Sequence, residues 1–85
     1  MKVVNLKKEP CDVYIGRGSI FGNPFEIGKD GNRKEVIEKF RKWLFYSDEA
    51  EEVRREIPTL KGKVLGCFCK PKKCHGDILL KIANR

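Results

Sequence analysis

The residues best able to do chemistry lie in CFCKPKKCHGD, residues 67–77. Three of the four cysteines and the only histidine of the chain fall inside this stretch. Three chemistries suit those residue types. The first is a metal: Cys67, Cys69, Cys74 and His75 together offer a Cys3His set for zinc. The spacing, C-x-C-x4-C-H, differs from the common C-x2-C knuckle, and Cys74 and His75, being adjacent, would both have to turn onto one ion. If Cys67 sits inside a sheet it packs as a small core hydrophobe, with Cys11 as its substitute. Three or four thiolates also leave room for an iron–sulfur cluster.

The second chemistry is a reactive thiol. A cysteine in the first turn of a helix feels the positive end of the dipole, which lowers its pKa. Lys72, Lys73 and Arg17 would lower it further. His75 then supplies an acid or base, and Asp77 orients that ring or acts alone. Successive helical residues point about 100° apart, which weakens a direct Cys74–His75 pair. The plainer alternative makes Asp77 a helix-start acid and His75 a hydrogen-bonded ring. The third chemistry needs no covalent bond: the free N–H groups opening the helix, beside Lys70, Lys72 and Lys73, form an anion site.

A second polar stretch, GRGSIFGNP, residues 16–24, offers a partner for the first. Its glycines, Gly16, Gly18 and Gly22, are spaced G-x-G-x-x-x-G, one residue too long for a dinucleotide fingerprint, and no G-K-[ST] is present. Close backbone approach at the glycines, the Arg17 guanidinium and the Ser19 hydroxyl suit a phosphate or carboxylate, with Asn23 beside them. The alternative is a tight loop in which glycines supply positive φ and Arg17 pairs with an acid.

The elements around these loops follow from periodicity. KVVNL (2–6), DVYIG (12–16) and KVLGCFC (63–69) read as strands. The last is apolar on both faces, as a central, doubly covered strand would be, and Pro71 stops it. Asn32 followed by Glu35 resembles a capping box, and Val36, Ile37, Phe40, Trp43 and Leu44 recur at helical spacing, predicting a helix from Arg33 to about Tyr46. Ser47 caps a shorter helix, Glu49 to Ile57, ended by Pro58. A last helix starts near Cys74–Asp77 and carries Ile78, Leu79, Ile82 and Ala83 on one side. The expected architecture is a single α/β domain, residues 1–85. Its sheet has about three strands, strands two and three parallel, packed with about three helices. In a parallel pair both loops leave at the carboxyl edge, where open α/β sheets bind ligands. Arg17, Ser19 and Asn23 should therefore lie near Cys69, Cys74 and His75.

Composition narrows the partners. The net charge is +7, and residues 61–85 hold Lys61, Lys63, Lys70, Lys72, Lys73, Lys81 and Arg85 against one acid, Asp77. That asymmetry points to an anionic partner: a nucleotide, a nucleoside or a nucleic acid. The alternative is a lysine-rich solvated surface. The few aromatics read as core residues, which argues against a base-stacking platform. No run of apolar residues suits a membrane span, and the N-terminus lacks the apolar core of a secretory signal, so a cytoplasmic location is expected, with thiols reduced.

VYIGRGSIFGNPF (13–25), an Arg-Lys-Glu helix start, LKGKVLGCFCKPKKCHGD (60–77) and a closing helix together resemble a small domain family of unknown function found in phages, bacteria and archaea. The resemblance spans nearly the whole chain. It implies that Gly16, Arg17, Gly18, Asn23, Pro24, Cys67, Cys69, Cys74, His75, Gly76 and Asp77 belong to the family pattern and that Cys11 does not. Two expectations follow from these readings. One is a domain that binds or acts on a nucleotide, nucleoside or nucleic acid, using Cys74, His75 and Asp77. The other is a noncatalytic nucleic-acid-binding module with a structural zinc.

Overall fold

The computed structural model describes residues 2–70 and 72–84. The stop assigned to Pro71 lies outside them. Strands β1 (Lys2–Asn5), β2 (Val13–Tyr14) and β3 (Val64–Cys67) form one sheet in the order β1-β3-β2. Both pairings are parallel, with Val3 opposite Leu65 and Tyr14 opposite Gly66. The apolar run of β3 thus marks the central strand. β2 is shorter than DVYIG suggests, yet its ladder extends at both ends. Asp12 N–H donates to the Val64 carbonyl at 2.8 Å, and Ile15 N–H to Gly66 at 2.9 Å.

The two faces of β3 are covered differently. Leu65 and Cys67 face a core shared with Ile15, Phe40, Leu44, Leu60 and Leu79. Each large apolar chain so enclosed contributes roughly 1.5–3 kcal/mol. The opposite face carries Gly66, across which the β1–β2 connection runs. A β-carbon at Gly66 would stand 2.5 Å from Cys11 Sγ and 2.8 Å from Leu6 Cδ2. Glycine is required there because the connection crosses in contact with the strand. Successive strand residues face opposite ways, so Cys11 lies on the face away from Cys67 and is no substitute for it.

Helix α1 (Arg33–Tyr46) opens with the expected capping box. Glu35 N–H donates to Asn32 Oδ1 at 2.8 Å, and Asn32 N–H donates to Glu35 Oε1 at 2.9 Å. Val36, Phe40 and Leu44 form its buried stripe. Helix α2 (Glu51–Glu56) is flanked by 3-10 turns, Asp48–Ala50 and Ile57–Leu60. Ser47 accepts the Glu49 N–H. The α-helix ends at Glu56, capped by Ile57 just before Pro58 as expected, and the chain continues as a 3-10 turn. Pro58 sits in the first turn of the second 3-10 segment, where a missing N–H costs nothing. Helix α3 (Gly76–Ala83) packs on β1, β3 and the Ile57–Leu60 turn. A β-carbon at Gly76 would meet Ile15 Cδ1 at 2.5 Å, so glycine lets the start of α3 press onto the sheet. No described helix is long and apolar enough to cross a membrane.

Candidate functional site

Parallel pairing of β2 with β3 sends the two polar loops out at one edge, and His75 joins them. Its Nε2 lies 2.7 Å from the Ile15 carbonyl. A carbonyl only accepts, so Nε2 carries the proton, and the lone pair on Nδ1 faces Cys74 Sγ at 3.6 Å. The ring is 7% exposed and packs edge-on against Phe40, centroids 5.0 Å apart. Burial holds its pKa below the ordinary histidine value, opposed in part by the Ile15 carbonyl. His75 is therefore a neutral joint between loops.

Between the loops lies a cleft of about 520 Å³. Gly16, Arg17 and Asn23 line it from the first loop, and Cys67, Cys69, Lys73, Cys74 and His75 from the second. Gly18, Ser19, Lys72 and Asp77 do not. The polar side chains of the first loop are largely engaged in holding it. Ser19 Oγ donates to the Gly16 carbonyl at 2.8 Å. Asn23 Nδ2 donates to the Val36 carbonyl at 3.1 Å while Oδ1 accepts the Phe25 N–H at 2.9 Å, tying the loop to α1. Arg17 pairs with Glu26 at 3.1 Å, both side chains exposed.

The second loop brings its sulfurs together. The Sγ atoms of Cys67, Cys69 and Cys74 all lie within 4.8 Å of one another, and Cys67 and Cys74 are 3.0 Å apart. Zinc–sulfur bonds of about 2.3 Å at tetrahedral angles set thiolates roughly 3.8 Å apart; Cys67 and Cys74 stand closer than that, and no pair of the three is further apart than 4.8 Å. The three thiols could therefore hold a metal ion. His75 stands beside this trio, not within it. Strand β3 ends at Cys67, so Cys69 reaches the trio from the loop and not from a regular strand. Gly76 N–H points at Cys74 Sγ at 3.4 Å, the kind of contact that steadies a sulfur ligand.

Two expected site residues of this loop, Cys74 and Asp77, have different surroundings. Cys74 is 1% exposed. Burial first, and its hydrogen bond with Cys67 second, push its thiol pKa up, outweighing the lowering from the Gly76 N–H. Burial therefore works against the lowering that a helix start would give. Asp77 does not touch the His75 ring. Its Oδ1 accepts from Lys70 Nζ at 2.6 Å and its Oδ2 from the Cys74 N–H at 3.3 Å. It ties Lys70 to the start of α3, where an acid also suits the helix N-terminus.

Other cleft residues carry no motif. Tyr14 and Phe68, 38% and 55% exposed, meet edge to face at 6.3 Å beside the thiols. The expectation that aromatics are core residues fails for these two, and also for Phe45 and Tyr46, which are exposed at the end of α1. For Tyr14 and Phe68 strand alternation was the available signal, since Ile15 and Cys67 point inward and their neighbours must point out. Arg33 also lines the cleft, and its Nη1 donates to the Lys73 carbonyl at 3.2 Å. Asn5 Nδ2 donates to the Lys70 carbonyl at 2.7 Å, fixing the same loop to β1. Neither contact has a sequence signal, because both depend on tertiary position.

Two relatives, each longer than this chain, are similar to it over most of its length. One, the "Uncharacterized 12.4 kDa protein in nrdA-td intergenic region" of Enterobacteria phage T4, is 44% identical over 99% of this chain and 78% of its own length. The other, the "Uncharacterized protein R718" of Acanthamoeba polyphaga mimivirus, is 36% identical over 85% of this chain and 66% of its own length. No solved structure matches the chain. Residues 2–85 match the family described as a domain of unknown function (DUF4326), and the chain belongs to that family.

Proposed function

We propose that this chain binds a nucleotide or nucleoside in the cleft between its loops, against a zinc ion held by Cys67, Cys69 and Cys74. The observation that carries the reading is the meeting of three sulfurs within 4.8 Å on the wall of a cleft that Arg17, Arg33 and Lys73 also line. A volume of about 520 Å³ suits a small ligand. Cations at the rim complement a phosphate. Tyr14 and Phe68 add exposed aromatic surface at the cleft for a base. Zinc takes thiolate ligands readily. The four cysteines are free, which fits a cytoplasm where thiols stay reduced. The family pattern suggested by GRGSIFGNP and CKPKKCHGD would then mark the two walls of one site.

The test is calorimetric titration of zinc-loaded protein with purine and pyrimidine mononucleotides, their nucleosides, and short single-stranded DNA and RNA over a salt series. Saturable one-to-one binding of a mononucleotide or nucleoside, weakened in Lys73→Ala, supports the reading. Binding confined to oligonucleotides and steeply salt-dependent would favour a nucleic-acid-binding module instead. Absence of heat with every probe would reject both.

A further inference from the structure

We infer that the zinc of this site has three protein ligands, and that its fourth position opens into the cleft, where a water gives way to a neutral nitrogen donor of the ligand. The inference rests on the zinc reading above and adds what the ion can bind. Structural zinc sites close with four protein ligands, whereas sites that act on a ligand keep one position open. The question is which group could supply a fourth ligand here.

Each candidate has another engagement. Cys11 lies across β3, against Gly66, on the face away from Cys67. Asp77 holds Lys70 and the Cys74 N–H. Glu26 pairs with Arg17. His75 is the only histidine. Its proton on Nε2 goes to Ile15 at 2.7 Å, and its ring stands outside the sulfur trio. Its free Nδ1 stands 3.6 Å from Cys74 Sγ but outside the group of sulfurs that all lie within 4.8 Å of one another, so the ring would have to move to reach an ion held by all three. Because Cys67, Cys69 and Cys74 all line the cleft, the side of the ion left uncovered faces the cleft.

Charge then selects the incoming donor. Zinc with three thiolates carries a net charge of −1, from +2 and three of −1. Such a centre repels an anionic oxygen and, being borderline-soft, accepts nitrogen or sulfur. A phosphate belongs at Arg33 and Lys73, and a ring nitrogen of a base belongs at the metal. Ligand exchange of this kind moves no electrons and makes no covalent bond outside the coordination sphere.

Cobalt(II) tests this on the unmodified protein. The apo chain is loaded with cobalt, its stoichiometry measured, and its visible spectrum followed during separate titrations with imidazole and inorganic phosphate. The expected result is one equivalent of cobalt with thiolate charge-transfer bands. Its d–d bands should shift saturably with imidazole and stay unmoved by phosphate at equal concentration. One equivalent whose spectrum ignores imidazole means a closed site and overturns this inference while leaving the metal reading intact. Failure to take up cobalt or zinc overturns the metal reading and this inference with it. A second measurement uses His75→Ala: retention of metal stoichiometry and spectrum is expected, and loss of metal from a folded variant would make His75 the fourth ligand. The wild-type titration stands whether or not that variant folds.

Discussion

The two loops of the cleft use their polar side chains in opposite ways. In residues 16–25 nearly every polar side chain turns back on the chain: Ser19 to Gly16, Asn23 to Val36 and Phe25, Arg17 to Glu26. In residues 67–77 the supporting bonds come from groups outside the sulfur trio. Asn5 holds Lys70, Arg33 holds Lys73, and Asp77 holds Cys74 through its backbone. The three sulfurs are left converging on one another. One loop is tied to itself and to α1, and the other gathers three sulfurs. The difference teaches that residue type alone does not separate the two roles. A Ser, an Asn and an Arg in a glycine loop look like ligand contacts, while cysteines at the end of a buried strand look like core.

The comparison can be broken in several ways, with effects of decreasing size. Removing metal strikes the sulfur loop alone. Zinc at a thousandfold excess over its dissociation constant stabilises a fold by about 4 kcal/mol. For a chain of this length each kcal/mol moves Tm by roughly 4–8 °C. Thermal melts of zinc-loaded protein should therefore drop by at least about 15 °C with chelator, and an unchanged Tm would break the assignment. Asn23→Ala strikes the loop tied to α1. It leaves the Val36 carbonyl and the Phe25 N–H without their partner, at about 1–3 kcal/mol in urea unfolding, with metal stoichiometry unchanged. Ser19→Ala removes one bond within the same loop, and a loss of about 0.5–1.5 kcal/mol is expected. Arg17→Ala should change stability least, by less than about 1 kcal/mol, because its pair with Glu26 is exposed. If the cleft takes a phosphate, this same change should weaken nucleotide binding, and equal affinity in wild type and variant would remove Arg17 from the site.

Much of the frame was legible because it rests on local patterns. Asn32 and Glu35 announce α1, the Val36–Phe40–Leu44 stripe gives its buried face, and the apolar run at 64–67 marks the central strand. Parallel strands then oblige the loops after β2 and β3 to meet. What was not legible depends on three-dimensional crowding. The burial that raises the Cys74 thiol comes from its place in the core cluster that also holds Phe40, Ile15 and Leu79, and no spacing reports that. The exclusion of Cys11 follows from a connection crossing Gly66, a contact 55 residues away in sequence. Asp77 was readable both as a helix-start acid and as a proton carrier. Its partners, Lys70 Nζ and the Cys74 N–H, depend on tertiary position and are those of a helix-start acid.

The account stands on the sulfur trio, and elemental analysis of purified protein tests it most directly. Wild type and Cys11→Ala should each carry about one equivalent of zinc per chain, and a folded Cys69→Ser should carry none. Zinc missing from the wild type, or retained in Cys69→Ser and lost in Cys11→Ala, would contradict it.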